Sequence, residues 1–355
     1  MKSYVPSLEK EFRPMIIELR KFKEKGSVPF AICVERQSGY KYRYDLNVMP
    51  GKDAENEEMI ERVIKSILWV VGGFKIYLGG NDELVKAMQQ VFSYEGARKF
   101  DVEFMERVYK QKFEVVACNY DEVPASVEAS IPAGGHLEGN RIGFDAGGSD
   151  RKVSAVVNGE VIHSEEVVWF PKTNEDPEYH YQGILDSFRR AAEKMPSVDA
   201  IGVSSAGIYI DNEVRVASLF IKVPQDLFDE KVVDMYIRAA KEYGDVPLTV
   251  ANDGDVTALA GSMSLKSGQV LGIAMGTSEA AGYVNKDGNL NGWLSELAFV
   301  PVDYNKGAMV DEWSGDYGCG VKYFSQDGVI KLAGFAGIEL DENASPAEKL
   351  KVVQG

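Results

Sequence analysis

Cysteine and histidine are scarce in this chain, three of each among 355 residues. Cys33, Cys118 and Cys319 lie far apart, and no pair has the spacing of a zinc site or a redox motif. Their odd number does not fit a disulfide framework, so buried thiols in a reduced, cytoplasmic setting are expected. His136, His163 and His180 are scattered as well, which argues against a histidine-rich metal site. Positive charge is in deficit: 39 Lys and Arg face 55 Asp and Glu, a net charge of −16. A surface of that sign is not built to meet nucleic-acid phosphates or an anionic membrane. Long apolar runs are missing too, and none approaches the roughly 20 residues needed to span a bilayer. The N-terminal residues MKSYVPSLEKEFRP lack the apolar core of a signal peptide.

What is present suits a soluble globular protein. The length allows two or three units with real cores, and 45% of the residues are hydrophobic. Residues 1–125 read as a small α/β unit. Phe12, Met15, Ile16, Leu19 and Phe22 recur at helical spacing up to Gly26, and Pro29–Glu35 reads as a strand. An apolar stripe from Met59 to Val71 predicts a helix ending at Gly72-Gly73. Phe74–Leu78 then reads as a strand, and Asn81 as the N-cap of a helix carrying Leu84, Val85, Met88 and Val91. No helix-turn-helix or basic recognition helix stands out. Residues 126–140 form the linker, inside a stretch with two prolines and three glycines (Asp121–Asn140). From residue 141 strands and helices alternate, an α/β pattern.

Three segments carry chemistry. In Asp145-Ala146-Gly147-Gly148-Ser149, adjacent glycines between strands make a tight turn whose amides can approach a phosphate, and Asp145 can act on Mg²⁺, directly or through water. A plain glycine hairpin with a capping Asp would read the same way. A second strand, Val270–Met275, also ends in a small-residue turn, Gly276-Thr277-Ser278. The third, Asn252-Asp253-Gly254-Asp255, joins a strand to a helix, where a carboxylate either faces a cleft or merely caps the helix. Neither a P-loop nor a dinucleotide fingerprint occurs.

Taken in this order, the segments resemble the ROK family (repressors, open reading frames and kinases) of the actin-like ATPase superfamily, over residues 141–355. The family's DxGGT hairpin is matched by Asp145, Gly147, Gly148 and Ser149, and its small-domain turn by Gly202–Gly207. Its catalytic Asn-Asp pair falls on Asn252 and Asp253, its GTG turn on Gly276, Thr277 and Ser278, and its sugar motif on Ser295–Phe299. The resemblance implies an α/β, ribonuclease-H-like two-lobed domain, with a first lobe over 141–250 and a second beginning over 251–355. It implies an ATP-dependent sugar kinase with Mg²⁺ as cofactor. Asp253 would be the general base; Asn252, Glu296 and Ser218 would contact a small-molecule sugar; Asp145 would lie near Mg²⁺; and the Gly147–Ser149 and Gly276–Ser278 amides would hold phosphates.

Departures are equally plain. Phe299 stands where the family's sugar motif has a histidine, and only Cys319 remains of a zinc-binding cysteine cluster, so no zinc is expected. Ser345-Pro346-Ala347-Glu348 is a capping box that starts a helix, and the chain stops at Gly355. Because the family continues beyond this point, the second lobe is read as incomplete and the chain as truncated. Two functions follow: phosphorylation of a hexose or related sugar hydroxyl, or a non-catalytic sugar- or nucleotide-binding sensor. A homo-oligomer is compatible with either.

Overall fold

The computed structural model describes residues 5–354; Met1–Tyr4 and Gly355, with the ends of the first and last expected segments, lie outside the described residues. Contacts divide the chain into two units. The first holds residues up to Ala129 together with Ile273–Ala280 and Trp293–Gly355; the second holds Ser130–Gly272 and Ala281–Gly292.

In the first unit, α1 (Met15–Lys25) leads to the hairpin β1 (Val28–Glu35) and β2 (Lys41–Val48), followed by α2 (Asp53–Val70). Then come β3 (Lys75–Gly79), α3 (Asp82–Val91), α4 (Lys99–Tyr109) and β4 (Glu114–Cys118). The sheet order is β2-β1-β3-β4, antiparallel except for the β3/β4 pair. As expected, Asn81 caps α3, its side chain accepting from the Leu84 amide at 3.0 Å. The helical stripe read from Phe12 onward begins later than its spacing suggests. Pro14 occupies the N-cap of α1, so Phe12 falls in the preceding segment, and Ile16 faces solvent. The stripe of α2 is deeply buried, with Ile60, Ile64, Leu68 and Trp69 fully inside.

The second unit is built on a five-stranded sheet of order β11-β8-β5-β6-β7. Its first three strands are a meander: β5 (Asn140–Ala146), β6 (Asp150–Val157) and β7 (Glu160–Val168). Helix α5 (Pro177–Ala192) crosses to β8 (Ala200–Ser205), which pairs parallel with β5. A small hairpin, β9 (Ile208–Ile210) and β10 (Glu213–Val216), precedes the short α6 (Gln225–Leu227) and α7 (Met235–Lys241). β11 (Leu248–Asn252) then adds parallel to β8. Three antiparallel strands followed by two parallel ones is the ribonuclease-H-like sheet that the actin-like resemblance implies. Phe144, Val153, Ile184, Phe188, Ile201, Val203 and Met235 fill its core.

After β11 the chain forms α8 (Asp253–Leu265) and the pair β12 (Val270–Met275) and β13 (Glu279–Val284). The last elements, α9 (Gln326–Phe335) and α10 (Pro346–Gln354), belong to the first unit. Ser345 and Glu348 make the expected capping box, with hydrogen bonds of 2.8 and 3.3 Å closing it. Among the described residues, no helix is long and apolar enough to cross a membrane.

Candidate active site

The second unit gathers its site at the carboxyl ends of three parallel strands, the usual place for ligands in open α/β sheets. Register puts Asp145 and Ala251 opposite Ser204, and Ala146 and Asn252 opposite Ser205, so the ends of β5, β8 and β11 lie side by side. The sequence left open whether Asp253 merely caps its helix. Asn252 is the N-cap of α8: its Oδ1 accepts from the Gly254 amide at 2.7 Å. Its Nδ2 donates to the Gly207 carbonyl at 2.7 Å. Asp253 therefore sits in the first helical turn, its carboxylate taking only a longer contact of 3.1 Å from the Gly254 amide.

Gly207 is where glycine is required. Its φ is +137°, and a Cβ there would come within 2.5 Å of the Val216 carbonyl. The close approach brings Gly207 against Val216–Ala217, next to the exposed Ser218. Gly207 thus joins Asn252 to the Val216–Ala217 segment that precedes Ser218. Helix α8 is fixed just as tightly, since a Cβ on Gly254 would lie 2.4 Å from the Ala281 carbonyl. A Cβ on Gly282 would in turn meet the Asp255 Cα at 2.3 Å. Glycines on both sides let the first turn of the helix rest directly on β13.

Charge at these strand ends is concentrated and partly dry. Burial, and then the charge of Asp145, push the Asp253 carboxyl above the ordinary range, against hydrogen bonds from its own turn. Asp255 is pushed up to about 7, mainly by burial and also by Asp253, although the Tyr283 amide opposes the shift. At Gly147–Ser149 the carbonyls of Gly147 and Ser149 accept from Trp169, whose indole Nε1 lies 2.8 Å from one and whose amide lies 3.1 Å from the other. The amides of Gly147, Gly148 and Ser149 donate to no acceptor among the described residues. That arrangement fits a phosphate, and the partly exposed Asp145 at the end of β5 fits a hard cation.

The first unit holds the remaining sequence-predicted residues. Gly276, Thr277 and Ser278 are exposed; the Gly276 amide donates to the Ser278 carbonyl at 2.9 Å, and its carbonyl accepts from Gln326 at 2.9 Å. Glu296 lies in a segment zipped onto the end of α2. The amides of Leu294, Ser295 and Glu296 donate in turn to Val71, Val70 and Trp69 carbonyls at 3.2, 2.9 and 2.9 Å. These are the carbonyls that a helix C-terminus leaves unpaired. Phe299 packs against Trp69 at 4.3 Å between ring centroids, with Phe100 and Phe104 beside it.

Sequence reasoning missed two features here. Glu279, directly after Ser278, is 6% exposed with Oε2 unpartnered, and burial pushes it up to about 7. Cys319 is buried beside an ion cluster: Asp316 meets Arg62 and Lys65 at 2.6 Å each and Arg98 at 3.0 Å. The Arg62 guanidinium also stacks 3.8 Å over Tyr317. Among the described residues no group of three or more His, Cys, Asp or Glu could hold a metal ion.

No protein-family model matches the chain, and no curated protein does either. Solved structures similar to it are ROK family members. One is a ROK hexokinase from Thermus thermophilus, 18% identical, with a TM-score of 0.41 over 56% of this chain and 64% of that one. Another is a ROK family glucokinase from Streptomyces griseus in complex with glucose and AMPPNP, 20% identical, with a TM-score of 0.41 over 54% and 59%. A third is a ROK family transcriptional regulator, homologous to the E. coli MLC protein, 17% identical, with a TM-score of 0.42 over 59% and 54%. The matches thus span between 54% and 64% of the length of these three structures.

Proposed function

We propose that this chain carries the catalytic residues of an ATP-dependent sugar kinase. The observation that supports this most is the division of labour at the start of α8. Asn252 satisfies the helix end, so the neighbouring Asp253 carboxylate is not used up as a cap. Asp253 takes the proton of a sugar hydroxyl as that oxygen forms its bond to the γ-phosphorus and the bond to the bridging oxygen of the departing ADP breaks. Its raised proton affinity, set by burial and by Asp145, suits a general base. In the second unit, Asn252 and Ser218 orient the sugar and the Gly147–Ser149 turn holds phosphate; for Glu296 and the Gly276–Ser278 turn, in the first unit, sugar and phosphate contacts rest on the motif resemblance alone. Asp145 would hold Mg²⁺, which supplies neutralisation of phosphate charge.

Asp253→Asn tests the reading. It should lower sugar-dependent ADP release by about 10²–10⁴-fold while sugar binding changes little. In the wild type, turnover should fall as pH drops through the raised Asp253 value, because a protonated base accepts nothing. Unchanged turnover in Asp253→Asn would remove that residue from the mechanism. The competing reading, a non-catalytic sugar or nucleotide sensor, is favoured by Phe299, which spends the motif's histidine position on aromatic packing. Sugar binding without turnover on any sugar tried would select it.

A further inference from the structure

We infer that Lys172 is a phosphate ligand of the Gly147–Ser149 turn. The inference rests on the phosphate-site reading above and extends it to a residue outside every motif of the sequence. Lys172 lies in the short 3-10 turn Pro171–Thr173 that follows β7. Its side chain runs across Gly148: a Cβ built there would stand 2.8 Å from Lys172 Cε and 2.9 Å from Nζ. Glycine at 148 therefore does two things, freeing the turn's backbone and leaving room for the lysine.

The backbone that carries Lys172 is tied down on several sides. Trp169, buried, holds the glycine turn by the two bonds already described. Pro171 is buried, and its carbonyl lies 3.0 Å from Nε2 of the fully buried His180. The Phe170 amide donates to the Tyr179 hydroxyl at 2.9 Å. The ammonium itself, by contrast, has no partner among the described residues. Nor is it needed to neutralise the turn, because Asp150 already pairs with Lys152 at 2.8 Å and accepts from Ser149 at 3.0 Å.

An anion on this turn would meet three uncommitted amides and one mobile ammonium on a fixed base. Lysine serves such sites as a compact, rotatable point charge. The ligand class is therefore the phosphoryl groups of a polyphosphate, as in the tail of a nucleoside triphosphate.

Calorimetric titration of the full chain with sodium tripolyphosphate tests this, comparing wild type, Lys172→Met and Lys172→Arg, with adenosine as a ligand that lacks phosphate. Binding of tripolyphosphate should weaken about tenfold in Lys172→Met, as expected for loss of a charge-assisted contact, and recover most of that in Lys172→Arg. Adenosine binding and the melting temperature should not move, because Lys172 is exposed. Should Lys172→Met bind tripolyphosphate as the wild type does, the lysine has no such role and the phosphate site stands without it. Should the wild type itself bind no tripolyphosphate, the phosphate-site reading falls, and the inference with it.

Discussion

Asp316 offers the sharpest test of how the first unit holds its shape. Its carboxylate is 4% exposed and meets three cations, Arg62, Lys65 and Arg98, that are themselves buried. Asp316→Asn keeps the size of the side chain but removes its charge, leaving those cations with Glu61 and Asp101 as the remaining carboxylates nearby. Removing one partner of a buried ion pair costs about 3–5 kcal/mol, because the desolvated charges left behind are uncompensated. Against a total stability of about 5–15 kcal/mol, that is a large fraction. Urea unfolding followed by tryptophan fluorescence should register it, since Trp69 lies on the same helix as Arg62 and Lys65. The pH dependence adds a second check. The three cations hold Asp316 well below the usual carboxylate range, although burial opposes them. Its contribution is therefore complete above the unfolded value of about 3.9 and is lost as pH falls below that toward the folded value. Asp316→Asn should remove that part of the acid sensitivity. A loss below about 1 kcal/mol, with acid sensitivity unchanged, would mean that water reaches the cluster and the charges are screened.

Glu279→Gln should act in the opposite direction. Burial raises the folded value to about 7, so ionisation opposes folding above that pH and not below the ordinary value. The variant should be more stable at pH 8 by up to about 3 kcal/mol, with the gain fading as pH falls from about 7 to 4. Equal melting temperatures at pH 8 would show that this carboxylate is solvated or paired. Phe299→Ala should cost about 3 kcal/mol in chemical denaturation, the low end for a core Phe because the ring is only half-buried. A cost within 0.5 kcal/mol, typical of exposed positions, would contradict the packing against Trp69.

How much of this was legible in the sequence depends on how local its cause is. Asn81 and Ser345 read correctly because a cap is a contact over three residues. The strand ends at Asp145 and Asn252 were visible for a similar reason, since a strand followed by small or helix-starting residues fixes where the chain turns. β2 was not legible: Lys41, Arg43 and Asp45 alternate with residues that stay partly exposed, and only Leu46 and Val48 are buried. The ion cluster was beyond reach, because Arg62 and Asp316 stand 254 positions apart and nothing in either segment names the other. Glu279 hid for a related reason: its Oε2 lies close against Gly320, where a Cβ would come within 2.6 Å of it, and Gly320 is remote in sequence.

Phe299 joins the two kinds of evidence. In the sequence it appears only as a missing histidine, a loss from the sugar motif. In the fold it is a gain, a ring placed 4.3 Å from Trp69 on the helix whose final carbonyls hold Glu296. The same helix supplies Arg62 and Lys65 to Asp316. Helix α2 therefore grips two segments, the one from Leu294 to Phe299 by backbone and aromatic contacts and the one around Asp316 by charge. The cost is chemical: a phenyl ring offers no hydrogen bond to a sugar hydroxyl, so a sugar bound at this segment would rely on Glu296. Glu296→Gln should then weaken sugar binding by about tenfold or more, the loss of a charged acceptor. Titration of the sugar that supports turnover would measure it, and an unchanged affinity would mean that the sugar is held elsewhere.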